Sequence, residues 1–396
     1  MILIFGGGIA GLWTLDECVR RGLACVLLES KALGSGQTVA SQGIIHGGVK
    51  YMFDGQPSAS ATAIAEMPGR WRACLRGAAE PDLSTTTLRS EACYLWGTGS
   101  LTSRVFLKGA DLALRTRPLP VEPHERPAAL ADVRGPVSRV DEPVIDPVSL
   151  VRCLAARHPG RIAWVSPERG PEFARGYDGS LSVTVHSRGT DEPVTFEADC
   201  VVFAAGEGNA DLRRRAGLPA DAMQRRPLHM LMARGDLPEL FGHCVGGTKP
   251  LATITTAIDS GGRRVWQLGG QVAEDGVRQA PGELIARTRR VVAEVLPGVD
   301  LRQAECATYR IDRAEAATAT GQRPDDVQTI VEGPFITAWP TKLALAPRLA
   351  DVIADQLHAA GVTKRDDSAT APFESWPAPP VAAPPWETCT EWFSDR

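Results

Sequence analysis

A glycine-rich segment near the start of the chain constrains the fold more than any other feature. The segment Gly-Gly-Gly-Ile-Ala-Gly, residues 6–11, follows the apolar run 2–5 and precedes residues whose apolar side chains recur at helical spacing. This order predicts a strand, a tight turn and a helix. Gly6 permits the turn, Gly8 lets a ligand approach the backbone, and Gly11 lets the helix lie close to the strand. The free N–H groups at the start of the helix favour an anionic ligand such as a pyrophosphate.

A second apolar run, residues 24–28, ends in Glu29, about 20 residues after the turn. A carboxylate in this position accepts hydrogen bonds from the ribose hydroxyls of a dinucleotide. The spacing therefore favours a dinucleotide site over a structural turn without a ligand. The negative charge of Glu29 also disfavours the 2′-phosphate of NADP.

Length and composition set further limits. The chain has 396 residues, more than one compact core of roughly 250–300 residues accommodates, so two domains are expected. A net charge of −4 with acids and bases mixed along the chain offers no basic surface for nucleic acid. Nine cysteines without a Cys-x-x-Cys pair predict reduced thiols and a cytoplasmic protein. No secretory signal and no apolar stretch of about 20 residues that would form a transmembrane helix is visible.

The segment that follows Glu29 carries a family resemblance. Residues 34–51 contain the small residues that let a main chain pass along an extended FAD. They resemble the FAD-dependent oxidoreductases of the D-amino-acid oxidase and glycerol-3-phosphate dehydrogenase superfamily. The stretch His-Gly-Gly-Val-Lys-Tyr, residues 46–51, is similar to His-Gly-Gly-x-Arg-Tyr of glycerol-3-phosphate dehydrogenase and to His-Ala-Gly-x-Tyr-Tyr of L-2-hydroxyglutarate dehydrogenase. Lys50 keeps the charge of the family arginine but loses its bidentate fork.

Later segments extend the resemblance. Asp146 and Pro147 are typical of the N-cap and first position of a helix. Residues 198–209 resemble the strand that closes the dinucleotide domain, whereas the same segment taken alone is equally typical of an ordinary buried parallel strand. Residues 226–277 contain short strands joined by glycine-rich turns, which predict a mostly antiparallel sheet over the flavin.

The predicted fold is therefore α/β, with a discontinuous FAD-binding Rossmann-like domain and an inserted, mostly antiparallel β-sheet substrate domain. The predicted bounds are 1–68, 144–218 and 325–362 for the FAD-binding domain, and 69–143 and 219–324 for the substrate domain. The Pro- and Trp-rich tail, residues 363–396, is expected either to dock on a protein partner or to wrap over its own domain with part of it disordered.

Three residues are predicted to take part in the chemistry. Lys342 lies in a stretch that resembles the start of the C-terminal helix of glycerol-3-phosphate dehydrogenase, although residues 344–347 differ from its Thr-Thr-Tyr-Arg. Arg310 matches the superfamily arginine that faces the flavin and binds an anionic substrate group, with Ile311 in place of the following proline. His46 is a candidate base and Lys342 a second one, while Arg310 is the candidate anion anchor. Each residue also has a possible role outside the chemistry. His46 could only form a hydrogen bond to the cofactor, Lys342 could form an ion pair with a carboxylate, and Arg310 could be a solvated strand residue.

The resemblance also implies the residues that bind FAD, and no metal site is predicted. The cofactor-binding residues are Gly6, Gly8, Ile9, Ala10, Gly11, Glu29, Ser30, Thr38, Ser41, Gln42, Gly43, Ile45, His46, Ala205, Gly206, Pro340, Thr341, Lys342 and Leu343.

These features predict an FAD-dependent dehydrogenase or oxidase that transfers hydride from a small anionic secondary alcohol to flavin N5. The resemblance implies a substrate of the glycerol-3-phosphate or 2-hydroxy-acid type, and oxygen or a quinone as electron acceptor. An amino-acid or amine oxidase of the same superfamily is the first alternative. A flavin-binding partner subunit without its own turnover is the second, favoured by the altered residues beside Lys342 and by the aromatic tail.

Overall fold

The computed structural model describes residues 1–47, 59–98, 118–190, 192–246, 249–362, 373 and 375–394. Residues 48–51 of the motif that resembles glycerol-3-phosphate dehydrogenase and the first ten residues of the predicted tail lie outside this part of the chain. The helices are α1 (Ile9–Arg20), α2 (Ala59–Leu75), α3 (Pro147–Ala156), α4 (Asn209–Arg215), α5 (Gln271–Asp275), α6 (Pro281–Val295), α7 (Ala346–Ala359) and α8 (Pro385–Thr388).

A six-stranded sheet is built from widely separated parts of the chain. Its strands, in spatial order, are β18 (Gln328–Glu332), β19 (Phe335–Trp339), β12 (Cys200–Phe203), β1 (Ile2–Phe5), β2 (Cys25–Glu29) and β8 (Ile162–Trp164). All neighbours pair in parallel except β18 with β19. The central strands are apolar throughout because helices and a second sheet cover both faces. On one face, Leu12 and Leu15 of α1 pack with Leu349 and Ile353 of α7.

A small antiparallel sheet covers the other face. It consists of β9 (Glu172–Arg175), β10 (Leu181–His186) and β11 (Pro193–Ala198). Val183 and Phe196 of this sheet pack with Leu3 and Phe5 of β1. The alternating burial along β10 is that of a strand with one face in the core.

The second large sheet has eight strands. In spatial order they are β17 (Glu305–Ala316), β13 (Met223–Gly235), β16 (Arg264–Gly269), β15 (Pro250–Ile258), β14 (Gly242–Val245), β4 (Cys93–Gly97), β6 (Val137–Val140) and β5 (Leu119–Pro120). All neighbours pair antiparallel except β14 with β4. Helix α6 packs Ile285 and Val292 against Leu231 and Leu268 on one face. A two-stranded ladder of β3 (Leu88–Ser90) and β7 (Val144–Ile145) lies apart from both large sheets.

The predicted fold class is confirmed: a mostly parallel sheet flanked by helices accompanies a separate, mostly antiparallel sheet. The domain bounds given above remain predictions. Within the described residues, none of the helices is both long enough and apolar enough to cross a bilayer.

The described end of the chain packs over the protein itself. Leu33 exchanges backbone hydrogen bonds with the tail, donating to Pro380 at 2.8 Å and accepting from Ala382 at 2.9 Å. Further along, the backbone N–H groups of Phe393 and Cys306 each donate a hydrogen bond to the carbonyl of the other residue. Of the two expectations for the tail, the described residues show the wrapping one, and docking on a protein partner remains a prediction.

Replacing Trp386 of the tail with alanine is expected to reduce the free energy of unfolding by about 3–5 kcal/mol. The indole is buried and packs with Met232, Val265 and Ala307 of the eight-stranded sheet, so its loss leaves a cavity. Urea denaturation followed by circular dichroism measures the change. The matched control is Tyr177→Ala, whose ring is fully exposed and whose loss should alter stability by less than about 0.5 kcal/mol. Equal stability of the two variants would show that the tail does not pack in solution.

Candidate active site

The turn between β1 and α1 brings three backbone segments together. Gly6 has a φ of 112°, and a Cβ on it would lie 2.5 Å from the Cα of Ala205. A Cβ on Gly11 would overlap the carbonyl oxygen of Gly6, so the helix lies directly on the strand. At Gly8, the nearest atom to such a Cβ is Thr38 Oγ1 at 3.4 Å. Two glycines therefore enforce close packing while the third leaves its backbone open, which fits a pyrophosphate.

The polar groups around this turn fit the same ligand. Helix α1 begins after Gly8, which has no side chain to cap it, and the Ile9 N–H donates to Thr38 Oγ1 at 3.1 Å. The Glu29 carboxylate lies at the end of β2 and accepts a hydrogen bond from the Gly7 N–H at 2.6 Å. The helix start and a carboxylate are thus close together, as a dinucleotide with one ribose beside its pyrophosphate requires.

The segment of residues 38–46 is fixed against the eight-stranded sheet. The Gln42 amide donates to backbone carbonyls of β15 and β16, at 3.0 Å each. The Tyr309 hydroxyl on β17 donates to the Ala40 carbonyl at 3.0 Å. Gln267 Nε2 also contacts this carbonyl, and its Oε1 is buried without a hydrogen-bond partner among the described residues. This unpaired acceptor beside the loop is the kind of group that a bound cofactor or an ordered water satisfies.

A cluster of two histidines and a glutamate lies at the end of this segment. Glu142 follows β6, is buried, and accepts the Gly47 N–H on Oε1 at 2.7 Å. Its Oε2 lies 3.3 Å from His46 Nδ1 and 3.6 Å from His243 Nε2. His243 is on β14, and its Nδ1 lies 2.9 Å from Thr253 Oγ1. Glu142 therefore links the loop to the sheet through both imidazoles.

The electrostatics of the cluster favour neutral His46 and ionised Glu142. Burial lowers the pKa of His46 below its ordinary value of 6.5; Glu142 opposes this, and the charges of His243 and Lys342 reinforce it. Burial alone would raise the pKa of Glu142, but the charges and hydrogen bonds of the two histidines outweigh burial and hold that pKa well below its usual range. A neutral imidazole oriented by a carboxylate has the protonation state of a general base.

The predicted segment of residues 340–343 connects β19 to α7. Thr341 has a φ of 59°, the only positive φ among the described non-glycine residues. Such a conformation costs about 1–3 kcal/mol and tends to occur at functional sites. The charge of the next residue, Lys342, makes a small contribution to the lowered pKa of His46. The structure thus brings two of the three predicted catalytic residues, His46 and Lys342, into one electrostatic environment.

Arg310, the third predicted catalytic residue, is placed elsewhere. Its guanidinium donates to the carbonyls of Val277 and Gln279 in the segment that follows α5, and it pairs across β13 and β17 with His229. Its neighbour Tyr309 reaches the loop, and successive side chains of a strand point to opposite faces of the sheet. The described hydrogen bonds of Arg310 therefore go to that segment and not to the cluster, and its role as anion anchor remains a prediction.

Two other arginines lie on the face of β13 and β17 that carries Tyr309. Arg226 donates twice to the buried carboxylate of Glu315, at 2.7 and 2.9 Å, and Arg313 donates to Glu274 at 3.0 Å. Burial and the charge of Arg226 lower the pKa of Arg313 despite its carboxylate partners. Burial is the larger cause of this shift, and a bound anion would relieve the part that comes from the charge of Arg226.

Four residues near the site, Glu142, His243, Arg226 and Arg313, were not predicted from the sequence. Glu142 lies in a Pro- and charge-rich stretch that resembles a surface loop, and His243 lies in a short strand whose partners are distant in sequence. Arg226 begins the segment 226–277 that is predicted to form strands, whereas no strand is predicted around Arg313.

Comparisons with known proteins agree with the predicted family. A family model described as "FAD dependent oxidoreductase" (DAO) matches residues 1–346. The chain is 42% identical over 391 residues to the probable FAD-dependent oxidoreductase PA4991 of Pseudomonas aeruginosa, covering 98% of this chain and 97% of that protein. The crystal structure of that oxidoreductase matches with a TM-score of 0.81 at 40% identity, covering 97% of this chain and 96% of its own.

Two more distant solved structures share the fold. Glycine oxidase from Geobacillus kaustophilus matches with a TM-score of 0.66 at 17% identity, covering 94% of this chain and 97% of its own. L-α-Glycerophosphate oxidase from Mycoplasma pneumoniae, with FAD bound, matches with a TM-score of 0.59 at 13% identity, covering 99% of each chain.

Proposed function

The chain belongs to the family of FAD-dependent oxidoreductases, and from that premise we propose that it is a dehydrogenase or oxidase of a small anionic secondary alcohol. Substrates of the glycerol-3-phosphate or 2-hydroxy-acid type fit the proposal. FAD, when bound, supplies the hydride acceptor. Gly8 and the start of α1 would hold its pyrophosphate and Glu29 a ribose, while a proton acceptor and an anion anchor must come from other side chains.

The pair of His46 and Glu142 is the observation that carries this proposal. The ionised carboxylate accepts the Nδ1–H of His46 in the tautomer that best satisfies the contact, and this leaves a lone pair on Nε2. A proton from the substrate hydroxyl then moves to Nε2, and the nearby carboxylate stabilises the imidazolium that forms. Glu142 acts as a positioning residue because it works through His46.

The need for a base favours an alcohol over an amine. A hydroxyl is a far weaker acid than an ammonium group, so an alcohol must lose its proton to the enzyme as its carbon is oxidised. An amine can enter the site already deprotonated. A buried carboxylate that orients an imidazole is costly to maintain, and an alcohol substrate accounts for it directly.

Lys342 complements the base. Its charge disfavours protonation of His46 before the substrate binds and stabilises the negative charge that develops on the substrate oxygen. The first effect acts on the imidazole and the second on the substrate oxygen, and neither requires Lys342 to transfer a proton. The predicted ion pair at Lys342 remains an alternative.

Arg226 and Arg313 are the proposed anchors for the anionic group, in place of Arg310. They lie on the face of the sheet that carries Tyr309, and the charge of Arg226 adds to burial in lowering the pKa of Arg313. The two guanidiniums, together with Lys249, which lies 3.6 Å from Glu274, outnumber the carboxylates of Glu274 and Glu315. A substrate carboxylate or phosphate would balance this excess.

Replacing Arg313 with methionine is therefore expected to raise KM about 10- to 100-fold with a smaller change in kcat, because a charge-assisted hydrogen bond to the substrate contributes about 1.5–3 kcal/mol. Steady-state kinetics with the substrate found below measure the change. The matched control is Arg310→Met on the same strand, which should leave KM unchanged. The opposite result, a raised KM for Arg310→Met alone, would return the anchor to Arg310.

The decisive test of the proposed function is anaerobic mixing of the FAD-loaded protein with a panel of 2-hydroxy acids, glycerol-3-phosphate, amino acids and secondary amines. Bleaching of the flavin absorbance by alcohols alone supports the proposal. Bleaching by amines alone would select the amino-acid or amine oxidase. No bleaching by any compound, together with copurification of a second polypeptide, would select the partner subunit. Reoxidation of the bleached protein by oxygen or by a soluble quinone then identifies the class of electron acceptor.

The proposal includes a cytoplasmic location. All nine cysteines are free, and eight of them are buried, which suits a reducing compartment. Fractionation of cells that express the protein at native levels tests this point.

A further inference from the structure

We propose that His46, Glu142 and His243 form a binding site for one divalent transition-metal ion, for which Zn²⁺ has the best-suited chemistry, and that the bound ion switches off the base. The binding rests only on the geometry of the three side chains. The inhibition rests in addition on the proposed function, because it requires His46 to be the proton acceptor.

The three ligand atoms converge as they do in a metal site. His46, Glu142 and His243 each offer one atom, and these atoms lie within 4.8 Å of one another. Two imidazoles and one carboxylate are a donor set that Zn²⁺ favours, with bonds of about 2.0–2.1 Å. In a tetrahedron, such bonds place the ligand atoms roughly 3.3–3.4 Å apart. The observed separations of 3.3 and 3.6 Å from the carboxylate oxygen are close to these values.

The same separations are longer than good hydrogen bonds. An N–H···O bond has its donor and acceptor about 2.7–3.2 Å apart. Both imidazoles exceed this range and approach the same Oε2 of Glu142. An ion placed among the three atoms would give that oxygen one short bond in place of two long contacts.

Outer hydrogen bonds already orient two of the ligands. The second oxygen of Glu142 accepts the Gly47 N–H at 2.7 Å, and the other ring nitrogen of His243 lies 2.9 Å from Thr253 Oγ1. Metal-binding imidazoles and carboxylates characteristically have such outer partners, which fix their orientation before the ion binds. Three protein ligands also leave a fourth position open for water or a substrate oxygen.

The ion and the base exclude each other. A neutral imidazole has one lone pair, and His46 presents Nδ1 to Glu142. When Nδ1 binds the ion, the proton of the ring resides on Nε2, so Nε2 can no longer accept a proton from a hydroxyl. Metal binding moves the proton of His46 from Nδ1 to Nε2, forms the three bonds to the ion, and changes no oxidation state. The site therefore links turnover to the free concentration of a divalent cation.

Calorimetric titration of metal-free, FAD-loaded protein with Zn²⁺ at neutral pH tests the binding. A Cys389→Ser background removes the one thiol that is not buried. One Zn²⁺ per chain is expected, and Glu142→Gln and His243→Asn should weaken binding on the order of 100-fold or more, since loss of a ligand costs at least as much as loss of an outer partner. His358→Gln, an exposed histidine of α7, is the matched control and should bind as the parent does. Flavin content and circular dichroism establish that each variant is folded.

No stoichiometric binding by the parent, or equal binding by Glu142→Gln, would overturn the metal site. Turnover measured in the same titration separates the two proposals. Both proposals are supported if Zn²⁺ inhibits the parent and does not inhibit the residual activity of His243→Asn. Zn²⁺ binding with the expected variant pattern but without inhibition would leave the metal site intact and contradict His46 as the base.

Discussion

Replacement of His46 with alanine is expected to slow reduction of the flavin by substrate about 100- to 10,000-fold, the usual contribution of a general base, while FAD remains bound. With Nδ1–H directed at the ionised Glu142, the imidazole keeps a lone pair on Nε2 that can accept the proton. Without it, the substrate hydroxyl has no acceptor of suitable pKa, and hydride transfer must generate an unfavourable protonated carbonyl.

Anaerobic stopped-flow spectroscopy measures this effect as the rate of loss of flavin absorbance. The matched control is His358→Gln, an exposed histidine on α7, which should react at the parent rate. The absorbance of the purified variant at the flavin maximum, relative to protein absorbance, shows whether FAD is retained. Colourless His46→Ala protein would mean that the side chain holds the cofactor and would not test the base.

Lys342→Met completes this test. Loss of the lysine removes charge stabilisation but leaves the proton acceptor, so its effect on flavin reduction should be smaller than that of His46→Ala. If both variants reduce the flavin at nearly the parent rate, the mechanism is wrong. A larger effect for Lys342→Met would exchange the two roles and make the lysine the base.

Local features of the fold were predictable because short sequence segments contain them in full. The strand, turn and helix around Gly6 and Gly11 span fewer than twenty residues, and each glycine performs a backbone task that other residues cannot. Asp146 likewise caps α3 through its own side chain, which accepts from the Ser149 N–H. The apolar residues of α6 likewise recur at helical spacing within one short segment.

The proposed cluster of His46, Glu142 and His243 was only partly predictable. His46 follows the cofactor segment directly, so a family motif indicated it. Glu142 and His243 approach it through the pairing of β4 with both β6 and β14, strands that are distant along the chain. The stretch before Glu142 is rich in charge and proline, which predicts exposure, yet the carboxylate is buried because two imidazoles and a backbone N–H compensate its charge.

The proposed anion anchor shows how strand register limits a family resemblance. Arg310 and Arg313 lie three positions apart on β17, so their side chains point to opposite faces of the sheet. A matched motif locates the strand. The register of the strand then decides which arginine shares a face with Tyr309, and a shift of one residue would reverse that choice. The cross-strand pairs of β13 and β17 fix the phase here, and they are not visible in the sequence.

Gly11→Ala is expected to abolish stable FAD binding. A Cβ at this position would overlap the carbonyl oxygen of Gly6, so α1 must move away from β1 or the turn must open. Either change displaces the N–H groups at the start of the helix, which are the proposed ligands of the pyrophosphate. We expect purified Gly11→Ala to be nearly colourless. It should also lose about 3 kcal/mol of stability, because the added Cβ meets rigid backbone atoms that cannot move aside as a side chain could.

A pair of variants separates loss of the ligand from loss of the fold. Gly282→Ala in α6 is the matched control, since its Cβ would meet no atom within 4 Å and the protein should bind FAD as the parent does. At Gly8 the nearest atom lies 3.4 Å away, so Gly8→Val should fold yet fill the space of the phosphates. Folded, colourless Gly8→Val that stays colourless after incubation with FAD would locate the pyrophosphate at this turn. A fully yellow Gly8→Val would exclude the turn as the pyrophosphate site, because the phosphates and the added side chain cannot occupy the same volume.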